Sequence, residues 1–126
     1  NWKTSVITES DHNYDRAFVH LDKDWKIVGP TELGPQKWGV GGELAICVSN
    51  DKGKTWMKEK KLTKNSQFSH SYVRRPVNFK APFCFFWADG DTHKFSKSVL
   101  HFCDFVGNIW QLPYEMTEAF AKHVKQ

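Results

Sequence analysis

The densest run of chemically capable side chains is His70-Ser71-Tyr72-Val73-Arg74-Arg75. An imidazole exchanges protons near neutral pH, a phenol donates one, and a guanidinium fork grips a carboxylate through paired hydrogen bonds. On an extended strand, period two places His70, Tyr72 and Arg74 on one side and Arg75 on the other. Such a set suits an anionic ligand that gains or loses a proton. His12-Asn13-Tyr14-Asp15 supplies a second imidazole among polar neighbours, and Gln36, Trp38 and Glu43 follow in a Gly/Pro-rich stretch. Each has a plainer reading. His70 and His12 can bond loop carbonyls, Tyr72 can be packing, and one arginine can pair with a carboxylate between structural units. Asn13 and Asp15 can brace a loop, Trp38 can pin its own, and Gly41-Gly42-Glu43 can be a turn with unusual backbone angles.

These groups need a scaffold. Short β-rich runs recur at 2–7, 17–21, 25–28, 44–48, 56–62, 72–77, 83–88, 99–105 and 109–112, each bounded by turn residues. Only the tail reads as helix, with Thr117 placed to cap a turn or two over 117–122. Two units of four strands repeat with a period of about 45 residues, the length of a propeller blade. The predicted fold is all-β: a β-propeller fragment of two four-stranded blades, 17–62 and 72–112. Residues 1–7 would be the last strand of a preceding blade, and 113–126 a C-terminal tail. A propeller closes with about four to eight blades, so the remaining blades are expected from the same parent polypeptide. A β-sandwich of similar strand number is the alternative. The long connection at the same place in each unit favours the propeller.

In an up-and-down blade, connections alternate between the two ends. The short ones at 22–24, 49–55, 78–82 and 106–108 then share one end. The long ones at 8–16, 29–43, 63–71 and 89–98 share the other and carry His12, Asn13, Tyr14, Glu32, Gln36, Trp38, Glu43, His70 and His93. Long loops on one rim of a rigid scaffold are where function concentrates.

Ser49-Asn50-Asp51-Lys52-Gly53-Lys54-Thr55-Trp56 matches the Ser-x-Asp-x-Gly-x-Thr-Trp pattern of the Asp-box, or BNR repeat. Asp51 can accept backbone N–H bonds, Gly53 can supply a positive φ, and Trp56 can cover the turn. Ser49, Asp51, Gly53, Thr55 and Trp56 are therefore structural. Further segments occur in order: His12-Asn13-Tyr14-Asp15, Gly29-Pro30-Thr31-Glu32, Gly34-Pro35-Gln36, Gly41-Gly42-Glu43, His70 to Val77, Phe86-Trp87-Ala88-Asp89-Gly90 and Phe102-Cys103-Asp104. From about His12 to Met116 the chain resembles the C-terminal part of the BNR-repeat propellers that include ulvan lyases and related rhamnose–glucuronate-cleaving enzymes.

That resemblance implies a seven-bladed parent, secreted or periplasmic, acting on an acidic polysaccharide or oligosaccharide. It also implies roles. A lyase that β-eliminates a uronate needs a cation on the carboxylate, a base for the C5 proton and an acid for the leaving oxygen. Arg74 or Arg75 fits the first, His70 or His12 the second, and Tyr72 the third. Asn13, Tyr14, Gln36, Trp38 and Glu43 would contact sugar. The alternatives are a rhamnosidase-type glycoside hydrolase and a non-catalytic glycan-binding propeller. The isolated chain is expected to be inactive.

No cofactor is required by these residues. His70, His101 and Cys103 form a weak candidate set for a structural metal, because His101 and Cys103 alternate on one strand face. Cys47, Cys84 and Cys103 lie in apolar runs without Cys-x-x-Cys spacing, which reads as buried free thiols. The net charge of +4 is scattered, with no nucleic-acid motif. No apolar run approaches the ~18 residues of a membrane span.

Overall fold

A computed structural model describes residues 1–9, 15, 17–120 and 122–126. It is all-β, with two antiparallel sheets. The first contains β1 (Phe18–His20), β2 (Trp25–Glu32), β3 (Glu43–Ser49) and β4 (Met57–Lys61), neighbours in chain order. The second contains β5 (Ser69–Arg74), β6 (Phe85–Gly90), β7 (Leu100–Cys103), β8 (Ile109–Gln111) and β9 (Val124–Lys125), again in chain order. Both sheets are simple meanders.

Sequence chemistry explains the placement within each sheet. Leu44-Ala45-Ile46-Cys47-Val48 is continuously apolar, and β3 is buried at every residue. Met57-Lys58-Glu59-Lys60-Lys61 is charged, and β4 is exposed throughout. Lysines on an edge strand discourage pairing with another chain.

Residues paired across an antiparallel ladder share a face. The pairs Phe18–Val28, Val28–Ile46 and Pro30–Leu44 therefore define one face of the first sheet. Phe85–Cys103, Trp87–His101 and Cys103–Ile109 define one face of the second. The two faces meet in one core containing Val28, Leu44, Ile46, Val48, Val73, Phe85, Trp87, Cys103 and Ile109. Burying an aliphatic or phenyl side chain is worth ~1.5–3 kcal/mol, and an exposed ion pair ~0–1 kcal/mol. The core, not the pairing of Lys58 and Lys61 with Glu32, holds the sheets together.

The connections alternate between two ends, 21–24, 50–56, 75–84 and 104–108 at one (the short-turn end) and 33–42, 62–68 and 91–99 at the other. The expected division by length is not kept, because 75–84 is as long as 33–42. At the short-turn end, Lys26 Nζ donates to the Phe105 carbonyl at 3.2 Å and Lys60 Nζ to the Gly107 carbonyl at 2.9 Å. The His20 ring stacks on Phe105 there, with centroids 4.4 Å apart. At the other end, the 33–42, 62–68 and 91–99 connections bond one another, and a lone bridge joins Gly42 to His70.

Two expectations need correction. Residues 1–7 form no strand; Ser5 instead bonds the Gly53 carbonyl and accepts from Trp56 Nε1 at 3.1 Å. An extended segment becomes a strand only with a ladder partner, and the described residues offer it none. The helix expected over 117–122 is absent among the described residues, whose tail turns back to pair β9 with Trp110 and Gln111 of β8. A helix that short is marginal without an apolar face to bury. The second sheet consequently has five strands where four were expected. No helix is long and apolar enough to cross a membrane among the described residues.

Candidate functional site

The site is built where the long connections meet the start of β5. His70 lies there, 5% exposed, between the two sheets. Its Nδ1 accepts from Trp87 Nε1 at 3.0 Å. An indole nitrogen only donates, so the imidazole proton is on Nε2, which lies 3.0 Å from Ser66 Oγ and donates to it. Ser66 passes the chain on, donating its hydroxyl to Glu43 Oε2 at 2.9 Å and its N–H to Glu43 Oε1 at 2.8 Å. Burial, reinforced by neighbouring His101, pulls the His70 pKa down to about 4, against the opposite pull of Asp89 and Glu43.

This arrangement corrects two sequence assignments. His70 has no lone pair free for a substrate proton, so it is the hub of a buried network and not a base open to ligand. Glu43, 7% exposed, has both carboxylate oxygens bonded to Ser66, so it is first a brace of this network, although it also lines the cavity described below. The network crosses between sheets, since Glu43 begins β3 and His70 is in β5.

The face assignment of the arginines also changes. Ser71 pairs with Ala88, but Arg74 pairs with Phe86, so three residues of β5 oppose two of β6. This bulge inserts one residue and reverses the alternation beyond it. His70 shares a face with Asp89 and Trp87, while Arg74 shares the opposite face with Ala88 and Phe86. His70, Tyr72 and Arg74 therefore do not line one side. Tyr72 sits in the bulge with φ 58° and is 60% exposed. The Arg74 guanidinium carbon is 5.0 Å from the Tyr72 ring centroid. Asp15 Oδ2 accepts the Tyr72 backbone N–H.

Arg75 points away from this rim. Its Nη1 donates to His20 Nδ1 at 2.7 Å, and its guanidinium lies over Phe18 and Phe79. That places it at the short-turn end, between the sheets, where it cannot share a ligand with Tyr72. Burial and the Arg75 charge together lower the His20 pKa.

Gln36 and Trp38 stand on the long-connection rim as expected. Gln36 Oε1 accepts from the N–H groups of Ser69 and Thr92, both at 3.2 Å, so it ties loops together. Trp38 is 77% exposed with φ 63°. His12, Asn13 and Tyr14 lie outside the described residues. A nearby cavity of about 310 Å³ is lined by Glu32, Leu33, Lys61, Thr63, Lys64 and Asn65 among others. The Asp-box forms the expected turn: Asp51 accepts from Ser49 Oγ, Thr55 Oγ1 and the N–H groups of Lys54 and Thr55 at 2.7–3.0 Å.

Sequence reasoning missed Asp89 and Ser66 and read Trp87 as core alone. His70, Asp89 and His101 bring ligand-type atoms within 4.8 Å of one another, although both His70 nitrogens are already engaged by Trp87 and Ser66. Asp89 Oδ2 lies 3.3 Å from His101 Nε2, and His101 Nδ1 is buried without a hydrogen-bond partner among the described residues. Burial pushes the Asp89 carboxyl up, but the bonds from His101 and the Val99 N–H outweigh it and the net direction is down. Cys103 shares the face but pairs with Phe85, farther along β7, so Asp89 takes its place in the three-residue set. The thiols of Cys47, Cys84 and Cys103 are free and buried, and burial raises each pKa. Period-two spacing on β6 and β7 was the available signal for Asp89 and His101; Ser66 had none.

Compared with known proteins, the chain matches no family model, no curated protein and no solved structure.

Proposed function

We propose that the chain is two blades of a BNR-repeat propeller whose complete form cleaves a uronate-containing, rhamnose-rich polysaccharide by β-elimination. The fold reading is supported by the meander order of both sheets; sandwiches of this size more often use Greek-key crossings. The chemical reading is carried by Tyr72. A bulky residue with positive φ is a genuine backbone outlier, and strain of this kind collects at functional sites. Here it holds a phenol outward on β5, beside the Arg74 guanidinium.

In this proposal Arg74 pairs with the uronate carboxylate and makes the C5 proton acidic. The C5–H electrons become the C4–C5 double bond, the C4–O bond breaks, and the Tyr72 hydroxyl gives its proton to the leaving oxygen. With both His70 nitrogens engaged, the base falls to His12. Asp15, three residues beyond it, is bonded to the Tyr72 backbone, which ties the end of that segment to the proposed acid. A two-carboxylate hydrolase is less well supported. Glu43 braces Ser66, and Glu32 pairs with Lys58 and Lys61.

The test is to treat a glucuronate–rhamnose glycan with the complete propeller and follow ultraviolet absorbance of unsaturated sugar ends. Tyr72→Phe and Arg74→Ala are each expected to lower the rate by ~10²–10⁴-fold. New reducing ends without absorbance would mean hydrolysis. Binding without any product would mean a non-catalytic module.

A further inference from the structure

The 33–42 and 91–99 connections, one from each sheet, are locked into a single tip that the elimination chemistry above does not use. His93 Nε2 donates to the Lys37 carbonyl at 2.9 Å, and Gln36 Oε1 accepts the Thr92 N–H at 3.2 Å. Asp91 Oδ1 accepts the N–H groups of His93 and Lys94, while Ser96 Oγ accepts the Asp91 N–H at 2.8 Å. Gly39 packs so closely that a Cβ there would stand 1.7 Å from Thr92 Oγ1. Loops joined this way gain the rigidity of the sheets that carry them.

The tip displays side chains that a folded protein ordinarily buries. Trp38 is 77% exposed and Phe95 wholly so. Trp38 holds φ 63°, a costly conformation for an aromatic residue, although glycine follows it immediately and would adopt it freely. Lys37 Nζ lies 5.2 Å from the Trp38 ring centroid, and Lys94 and Lys97 are on the adjoining loop. Asp91, the acidic residue in these two loops, spends an oxygen on backbone N–H groups. The surface therefore combines an exposed aromatic ring, one face of which carries the Lys37 ammonium, with an excess of positive charge.

We infer that Trp38 and Lys37 form a stacking subsite for an acidic sugar residue, the indole taking the C–H face of the pyranose and the ammonium its carboxylate. This rests on the acidic-glycan reading above and adds a second contact point, separate from Tyr72 and Arg74. An indole ring offers a broad negative face to the polarised C–H groups of a sugar, and its stiffness keeps the entropy loss on binding small. The cation selects uronates over neutral sugars through charge pairing.

The experiment titrates the full 126-residue chain by calorimetry with a tetramer of galacturonic acid, with neutral cellotetraose, and with inorganic sulfate. Saturable binding of the acidic tetramer is expected, with the neutral tetramer and sulfate each weaker. Trp38→Ala and Lys37→Gln should each weaken the acidic tetramer about tenfold, or ~1.4 kcal/mol. Both positions are exposed, and an unchanged far-ultraviolet dichroism spectrum identifies variants that have kept the fold. Equal affinity for the neutral tetramer, equal affinity for sulfate, no binding, or full affinity in folded Trp38→Ala would each overturn the inference. No bond is broken in this assay, so a propeller that binds but does not eliminate leaves the subsite standing. Loss of binding here leaves Tyr72 and Arg74 to their own variants.

Discussion

Acidification removes stability from this protein chiefly through His70. Folded, its pKa is about 4; unfolded, it returns to the ordinary 6.5. Above 6.5 both states are neutral at this residue and its contribution is fully present. As pH falls, the unfolded chain takes up a proton that the buried ring resists, so stability is lost between 6.5 and about 4 and the loss is complete below that. At ~1.36 kcal/mol per pH unit, the full loss is about 3 kcal/mol, a large share of the ~5–15 kcal/mol that keeps a domain folded. The assay is urea unfolding at several pH values between about 7 and 4.5, for wild type and His70→Gln. Glutamine can still accept from Trp87 and donate to Ser66, yet it does not titrate. The variant should be less stable at neutral pH but markedly flatter across the window. His20, also held below its ordinary value by burial and Arg75, leaves a smaller slope of the same sign. Asp89 and Asp104, both lowered, act mainly below this window, near and under the ordinary 3.8. Parallel wild-type and His70→Gln profiles would mean that His70 does not set the acid sensitivity of the fold.

Gly41→Ala would place a Cβ 2.2 Å from the His70 carbonyl oxygen at a backbone angle of φ 82°. It should cost about 2 kcal/mol or more, read as a lower urea midpoint at constant slope; an unchanged midpoint would show that the Gly42–His70 bridge can move aside. Asp51→Ala strips the Asp-box turn of its central acceptor and should lower the thermal midpoint, with Asp51→Asn intermediate; equal melting of all three would remove the motif's structural role.

What could be read from the sequence was whatever depends on local chemistry. The apolar run of β3, the charged edge of β4 and the Asp51 turn each follow from residue type and spacing within a few positions. The assignment of connections to alternate ends followed from strand alternation alone, but their lengths did not divide as expected, because β5 ends at Arg74 and β6 begins only at Phe85. What could not be read depends on partners distant in sequence. Nothing in Tyr72 announces a left-handed backbone, since tyrosine disfavours it, and the bulge it sits in reversed the predicted face of Arg74. His70 looked like a base because its strand neighbours are polar; which face the other sheet would cover is decided by packing. Arg75 went to His20, fifty-five residues away, a pairing no local pattern encodes. At the tail, two residues of β9 are too few to show any period, while the weak helical tendency of 117–122 yielded to an open edge on β8.

Crystallography of the complete polypeptide tests the central claim most directly. The expected result is that β1 and β5 are the innermost strands of neighbouring blades around a shared channel, with Tyr72 and Trp38 opening into a common cleft. Two sheets closed on each other as a self-contained sandwich, with Tyr72 and Trp38 remote from any common cleft, would contradict it.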